Sequence, residues 1–332
     1  MRINNFIRDA LRAKISMLAL TLVLTLTGFA VAQVQPARIG ILGPDEEPRF
    51  SELVGGLKQG LSDHGYSATS MEILETRVTR GDQAGARSAV EGLMRRQVKM
   101  LFVIGSELAK LARQVSSEIQ IVFVTPGDPV AAGLVSSLAH PGGNMTAMTF
   151  EFPELSGKRL ELLTEIVPRA RRVLIIYDPR DASPMQGVAV IRKAAPSMSV
   201  TLDERGVRNR EETTGALAAL NKAQGLLAIP GGFPSSQYEE IIRAAHAKRV
   251  PTMFHTRSGS TMDALASYGT NDAAITRQAA RLVDKILKGE KAGEIPVERP
   301  MKLEFVINLK AAKQIGLTVP PNVLVRADKV IR

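Results

Sequence analysis

Short runs of β-branched and other apolar residues alternate with longer amphipathic stretches along most of the chain. Residues 38–42 have the pattern of a buried strand, and residues 50–65 carry apolar side chains spaced along one helical face. Strands separated by helices of this length imply right-handed βαβ units and a parallel sheet covered on both faces. The first series of predicted strands lies at 38–42, 71–74, 100–104 and 119–124, with helices at 50–65, 82–97 and 107–115.

The alternation of strands and helices then starts again. The second series predicts helices at 155–167, 184–195, 211–222 and 237–249, with strands at 172–177, 200–203, 225–229 and 252–254. A long helix at 272–288, a late strand at 303–308 and a short helix at 310–315 complete the pattern. The fold class expected from this pattern is α/β, with two similar lobes joined by a hinge.

The N-terminal segment has a different pattern. Its first fourteen residues include four basic side chains, and residues 15–32 carry no charge and end with small side chains at Ala30 and Ala32. This arrangement predicts a signal peptide over residues 1–32, which would place the mature protein in the periplasm. The alternative is an uncleaved membrane anchor, because the uncharged run reaches the length at which spanning becomes possible.

Composition excludes several classes of function. The chain has no cysteine, so disulfides, thiolate nucleophiles and a lipid-modified cysteine are ruled out. The net charge of +10 falls to +7 without the leader's four bases and Asp9, and the bases are scattered. With no Trp and 4% aromatic residues, nothing indicates nucleic-acid binding. Motifs for nucleotide binding, zinc ligation and ester hydrolysis are absent, so we expect no enzyme activity, no metal and no cofactor.

The loops that follow the strands are the candidate binding site, because ligands of open parallel sheets lie beyond the carboxyl ends of the strands. Some of these loops contain a residue type suited to a small ligand, and others, such as the turn at 255–257, are nominated by position alone. Tyr268 is added because it stands where we expect the chain to cross back between the lobes. The candidate ligand-binding residues are Asp45, Ser106, Asp128, Asp178, Gly231 and Tyr268.

Each candidate also has a purely structural interpretation. Ser106 can be the N-cap of its helix, or part of a helix end that holds a carboxylate. Asp128 and Asp178 each precede a proline and can brace a turn, although an acid at a cleft can also pair with a ligand ammonium. Gly231 can serve a tight turn or a close approach of backbone to ligand. An acidic loop at Asp45 could instead select a cationic solute.

One segment resembles a known family. Residues 128–146, which read DPVAAGLVSSLAHPGGNMT, resemble the motif of ABC transporter substrate-binding proteins related to tryptophan- and tyrosine-binding receptors. Further matches lie at 157–163, 267–269, 285–289, 295–298 and 306–317, in the order of the family. The chain departs from the pattern at Ala147, at Asp263–Ala264, where glycines are usual, and in the acidic loop 45–47.

The resemblance implies a type I periplasmic-binding-protein fold, in which the chain crosses the hinge three times and encloses a ligand between two Rossmann-like lobes. The helix from residue 272 would belong to the first lobe and the strand 303–308 to the second. The implied boundaries are 33–147 with 268–297 for the first lobe, and 148–267 with 298–332 for the second.

The function expected from this resemblance is that of a monomeric exported receptor for a small, amino-acid-like solute, which it delivers to an ABC permease. The alternatives are a periplasmic sensor that partners a membrane signalling protein and, less favoured, an exported hydrolase.

The leader provides the first testable prediction. Protein recovered from the periplasmic fraction should begin at Gln33, because signal peptidase accepts the small side chains at Ala30 and Ala32. N-terminal sequencing measures this directly. Full-length chain recovered from the membrane pellet would instead support the anchor.

Overall fold

A computed structural model of the chain describes residues 36–150, 153–256 and 261–332. The predicted signal peptide and its cleavage site lie outside the described residues, as does Arg257 of the nominated turn. From Ala37 to Arg332 the chain forms one compact unit. Within that unit the strands form two sheets, and each sheet with its helices is called a lobe below.

The first lobe contains a five-stranded parallel sheet in the order β2-β1-β3-β4-β5. Its strands are apolar on both faces, as expected for a parallel sheet covered on both sides. The strands are β1 Ala37–Pro44, β2 Met71–Val78, β3 Met100–Ile104, β4 Gln120–Thr125 and β5 Met145–Thr149. The helices between them are α1 Arg49–Asp63, α2 Gln83–Arg95 and α3 Ser106–Val115.

The second lobe contains a seven-stranded sheet in the order β12-β11-β10-β9-β8-β6-β7. Its strands are parallel except at the β10–β11 pair, which is antiparallel. The strands are β6 Arg172–Tyr177, β7 Thr201–Gly206, β8 Gly225–Ala228, β9 Thr252–Phe254, β10 Ala266–Gly269, β11 Glu304–Asn308 and β12 Lys329–Ile331. The remaining helices are α4 Pro153–Ile166, α5 Ala182–Ala194, α6 Arg210–Leu217, α7 Tyr238–Ala247, α8 Asp272–Leu287, α9 Leu309–Gln314 and α10 Pro321–Leu324.

In the part of the chain that the structure describes, three connections join the lobes. The chain passes from β5 to α4, returns from β10 to α8, and leaves again for β11. Before this last connection, residues 295–298 run alongside β5, where the Thr146 hydroxyl donates to the carbonyl of Ile295 at 2.8 Å and Glu298 forms a bridge with Met148. The third connection therefore starts from the edge of the first sheet.

Helix α8 returns to the first lobe because two glycines of α1 let the helices approach closely. A Cβ atom at Gly56 would lie 2.1 Å from the carbonyl oxygen of Ala273, and one at Gly60 would lie 2.3 Å from that of Arg277. On either side of these glycines, apolar side chains of both helices pack into one core, among them Leu57, Ile275 and Val283.

The observed architecture confirms the predicted fold class. Most predicted elements are present within a few residues, while the strands β10 and β12 and the short helix α10 were not predicted. The predicted helix at 211–222 is wrong in its second half, since α6 ends at Leu217 and a 3₁₀ turn over Ala218–Asn221 follows. The lobe boundaries stay a prediction, although β5 extends to Thr149 and β10 lies in the second sheet. Among the described residues, none of the helices has the length and apolar character needed to cross a bilayer.

The contact between α1 and α8 provides a stability prediction. Gly56→Ala should lower the free energy of unfolding by about 1–3 kcal/mol, because the added methyl group meets the backbone of α8. A Cβ atom at the neighbouring Gly55 would have no packing neighbour within 4 Å, so Gly55→Ala should be neutral or stabilising by up to about 1 kcal/mol. Urea unfolding of the two variants measures the difference. Equal stabilities would contradict the packing account.

Candidate ligand-binding site

A cavity of about 690 Å³ lies between the lobes, at the carboxyl ends of strands from both sheets. Its walls come from the loops after β2, β3 and β4 on one side and after β6, β8 and β9 on the other. This position agrees with the rule that places ligands of open parallel sheets in the loops. The lining includes Arg49, Arg80, Ser106 and Asp128 from the first lobe, and Arg180, Gly231, Ser235 and His255 from the second.

The N-terminus of α3 forms one wall of the cavity. Gly105 occupies the N-cap, so no side chain caps this helix, and Ser106 begins it. The interpretation of Ser106 as N-cap is therefore wrong, and its hydroxyl lies 2.5 Å from that of Thr125 instead. The N–H groups of the first helical turn have no acceptor within the helix, and together with the helix dipole they favour an anion at this wall.

Asp128 lies on the loop after β4, the strand next to β3 in the sheet. Its Oδ1 atom accepts hydrogen bonds from the backbone N–H groups of Val130 at 2.8 Å and Ala131 at 3.3 Å. The residue therefore braces its turn, as the structural interpretation expects, and it also borders the cavity. A half-buried carboxylate held in one orientation is suited to a ligand ammonium.

The Gly231–Gly232 loop forms the opposite wall. Both residues have positive φ, at 106° and 65°, which only glycine adopts without strain. A Cβ atom on Gly232 would lie 2.1 Å from the Cβ atom of Asp178, so the loop is packed directly on that residue. The loop backbone can therefore approach a ligand closely.

Asp178 is the residue that holds this glycine loop. It is 3% exposed and accepts from the Phe233 N–H at 2.9 Å and from the Arg180 guanidinium at 2.7 Å. Burial alone would raise the pKa of Asp178, but the hydrogen bonds from Arg180 and Phe233 lower it below its ordinary value. Asp178 thus stays ionised at neutral pH and supports the wall from behind.

His255 follows β9 and is part of the second-lobe wall. Its ring packs edge-on against Tyr238, with ring centroids 5.8 Å apart, and the residue is 3% exposed. The Nδ1 atom is buried and has no hydrogen-bond partner in the part of the chain that the structure describes. Burial, together with the positive charges of Arg159 and Arg49, lowers the pKa of His255 well below its ordinary value of 6.5. The imidazole is therefore neutral at pH 7.

Three arginines of the cavity wall are paired with acids that do not line it. Arg49 donates to Asp272 at 2.9 Å, Arg80 to Glu46 and Arg180 to Asp178. Burial lowers the pKa of Arg49, but the nearby carboxylates of Asp272 and Glu46 raise it by more. The pKa of Arg49 is therefore above that of a free arginine. These arginines contribute charge and shape to the wall while their own counter-ions lie behind it.

Of the six predicted site residues, the structure brings Ser106, Asp128 and Gly231 together at the cavity. Asp45 lies outside its lining, with a side chain 60% exposed and 3.8 Å from Arg77. Tyr268 also lies outside the lining, because its ring packs on Phe305 in the second-lobe core and its carbonyl accepts from Arg159 at 2.6 Å. Whether each residue contacts a ligand stays a prediction.

Arg49 and Ser235 were missed by sequence reasoning, and His255 was nominated only as part of a turn. The one sequence signal for His255 is its position directly after a predicted strand. Arg49 lies at the start of α1 and carries no local motif. Ser236 and Glu239, three residues apart near the start of α7, do not form a capping box, because α7 has no side-chain cap and the Ser236 hydroxyl donates to the carbonyl of Phe233. Among the described residues, no group of three His, Asp or Glu side chains is arranged to hold a metal ion.

The fold and the cavity define a two-lobed α/β binding protein of the type I periplasmic-binding-protein class. The model of the ABC transporter substrate-binding protein family matches residues 38–331, and the chain belongs to this family.

Similar proteins cover most of the chain. A tyrosine-binding protein of Clostridioides difficile (strain R20291) is 24% identical over 280 residues, which cover 84% of this chain and 81% of that protein. The crystal structure of an ABC domain in complex with L-Trp from Streptococcus pneumonia has a TM-score of 0.81 at 21% identity, covering 89% and 100% of the two chains. A conserved domain protein from Vibrio cholerae O1 biovar eltor str. N16961 has a TM-score of 0.80 at 27% identity, covering 89% and 99%.

Two histidines, each with a buried ring nitrogen, provide a pH prediction. Burial lowers the pKa of both His255 and His246, so the folded chain leaves them neutral at a pH where the unfolded chain protonates them. The unfolded state then binds more protons than the folded state, so the free energy of unfolding decreases as the pH falls below about 6.5. The melting temperature should fall between pH 7.5 and 5.5, and it should fall less in the His246→Gln/His255→Gln double variant. The same loss in both proteins would refute this account.

Proposed function

We propose that this protein is an exported receptor that binds an amino-acid-like solute in the cavity between its lobes and, as a monomer, delivers it to an ABC permease. Membership of the substrate-binding family supports the transport role. The observation that carries the proposal is the cavity of about 690 Å³, to which both lobes contribute walls. Its size suits a ligand of a few tens of atoms, which could be surrounded on most sides.

The polar groups of the first-lobe wall suit a zwitterion. The N–H groups at the start of α3 match a carboxylate, because they point outward from a helix end whose N-cap is Gly105. Asp128, which borders the same cavity, matches an ammonium group. An amino acid bound by both groups would turn its side chain toward the second-lobe wall.

The names of the relatives agree with this ligand class. One relative is called a tyrosine-binding protein, and one structural neighbour was solved in complex with L-Trp. An aromatic amino acid is therefore the first ligand to test. The cavity wall carries as many acidic as basic side chains, among them Glu107 and Asp128 and the bases Lys110 and Arg180, which fits a zwitterion better than a polycation.

The ligand class is tested by calorimetric titration of the purified protein with L-tryptophan, L-tyrosine, L-leucine and putrescine. At least one amino acid should bind, and putrescine should bind more weakly than that amino acid. Asp128→Asn should weaken binding of that amino acid by about 1.5–3 kcal/mol, because it removes the charge from a hydrogen bond to the ammonium group.

Glu91→Gln is the matched control, since Glu91 is exposed on α2 and does not line the cavity. Asp45→Asn is a third variant, which decides whether the acidic loop takes part in binding. If none of the amino acids binds while putrescine does, or if Asp128→Asn binds as tightly as the unaltered protein, the proposed site is wrong.

A further inference from the structure

We propose that His255 is a specificity-determining residue of the cavity, which favours ligands that end in an uncharged hydrogen-bonding group over ligands that end in a cation. This inference rests on the proposed function, since it concerns the side chain of an amino acid whose charged ends are held by the first lobe.

The first observation is an unused hydrogen-bonding atom at the cavity wall. His255 borders the cavity and is 3% exposed, and its Nδ1 atom has no hydrogen-bond partner among the described residues. Buried polar atoms in native proteins nearly always have a partner, because leaving one unpaired costs free energy. His246 also has an unpaired ring nitrogen, but it does not line the cavity. Of these two residues, only His255 lines the cavity, where a ligand could supply the partner.

The second observation is the charge around the imidazole. Arg159 reaches it from α4 and Arg49 from α1, and both act on it as positive charges. Tyr238 packs against it from α7, and burial raises the pKa of this phenol to about 12, so it stays neutral. Burial and both guanidinium charges lower the pKa of the imidazole, which stays uncharged, while Arg49 is itself paired with Asp272 at 2.9 Å. A ligand cation at this ring would meet the same two positive charges, that of Arg49 weakened by its pairing.

The chemistry of the ligand end follows from these two observations. A neutral imidazole offers one N–H donor and one nitrogen acceptor. A phenol hydroxyl can pair with either of them, whereas a phenyl ring leaves the nitrogen unpaired. An ammonium group could donate to the acceptor but would lie near two guanidinium groups. The expected order of binding is therefore L-tyrosine, then L-phenylalanine, then L-lysine.

The test compares these three amino acids by calorimetry on the unaltered protein and on three variants. In the unaltered protein, L-tyrosine should bind about tenfold or more tightly than L-phenylalanine, and L-lysine should bind most weakly. His255→Leu should reduce the tyrosine-to-phenylalanine ratio to about 1, and His255→Gln should restore part of it, because an amide supplies both a donor and an acceptor. His246→Leu is the matched control and should leave the ratio unchanged.

The outcomes separate this inference from the proposed function. If tyrosine and phenylalanine bind equally well to the unaltered protein, or if the ratio survives in His255→Leu, the inference is wrong and the amino-acid receptor stands. If lysine binds most tightly, the inference is also wrong. If no amino acid binds, the proposed function fails and this inference fails with it. Should His255→Leu not fold, the ligand order in the unaltered protein and the ratio in His255→Gln decide the matter.

Discussion

The close approach of Gly269 to His255 is the constraint on which the site depends. A Cβ atom at Gly269 would lie 1.9 Å from the carbonyl oxygen of His255, so only glycine allows the end of β10 to pack there. The fully buried Arg159 fixes the same point, because its Nε atom donates to the carbonyl of Tyr268 at 2.6 Å. At this point the chain leaves the second sheet for α8. This one contact therefore fixes the position of His255 in the cavity wall and the start of the connection from β10 to α8.

The first lobe receives that connection through a second pair of contacts. Arg49 at the start of α1 donates to Asp272 at the start of α8, and the glycines of α1 then allow the two helices to pack closely. Thr256, just after His255, donates to the carbonyl of Thr270 at 2.6 Å. The connection is thus anchored on both sides of its crossing. Any change in the angle between the lobes must be absorbed within a few residues of this connection and within the other two, which is how hinges work.

Most strands of the two sheets could be predicted from the sequence, because a buried parallel strand is a continuous apolar run that is recognised without knowing its partner strands. It also nominated most of the loops that meet at the cavity, since the carboxyl ends of parallel strands share one edge, but not the loop after β2. It could not predict where a side chain in such a loop points. Asp178 is held by Phe233, which lies 55 residues further along the chain, and the ring of Tyr268 enters the core. A single histidine after a strand likewise carries no signal that separates a wall residue from a core residue.

The pairing of charges around the cavity limits how a ligand can be held. The guanidinium groups of Arg49 and Arg180 already have carboxylate partners that do not line the cavity, so a ligand carboxylate would compete with Asp272 or Asp178 for them. The N-terminus of α3 has no side-chain cap, so a carboxylate placed there displaces no protein group. The carboxylate of Asp128 has its Oδ1 atom fixed by two backbone N–H groups, so its orientation is set before a ligand arrives. Preorganised groups of this kind lose little entropy on binding, and they favour the first lobe as the side that holds the charged ends of a zwitterion.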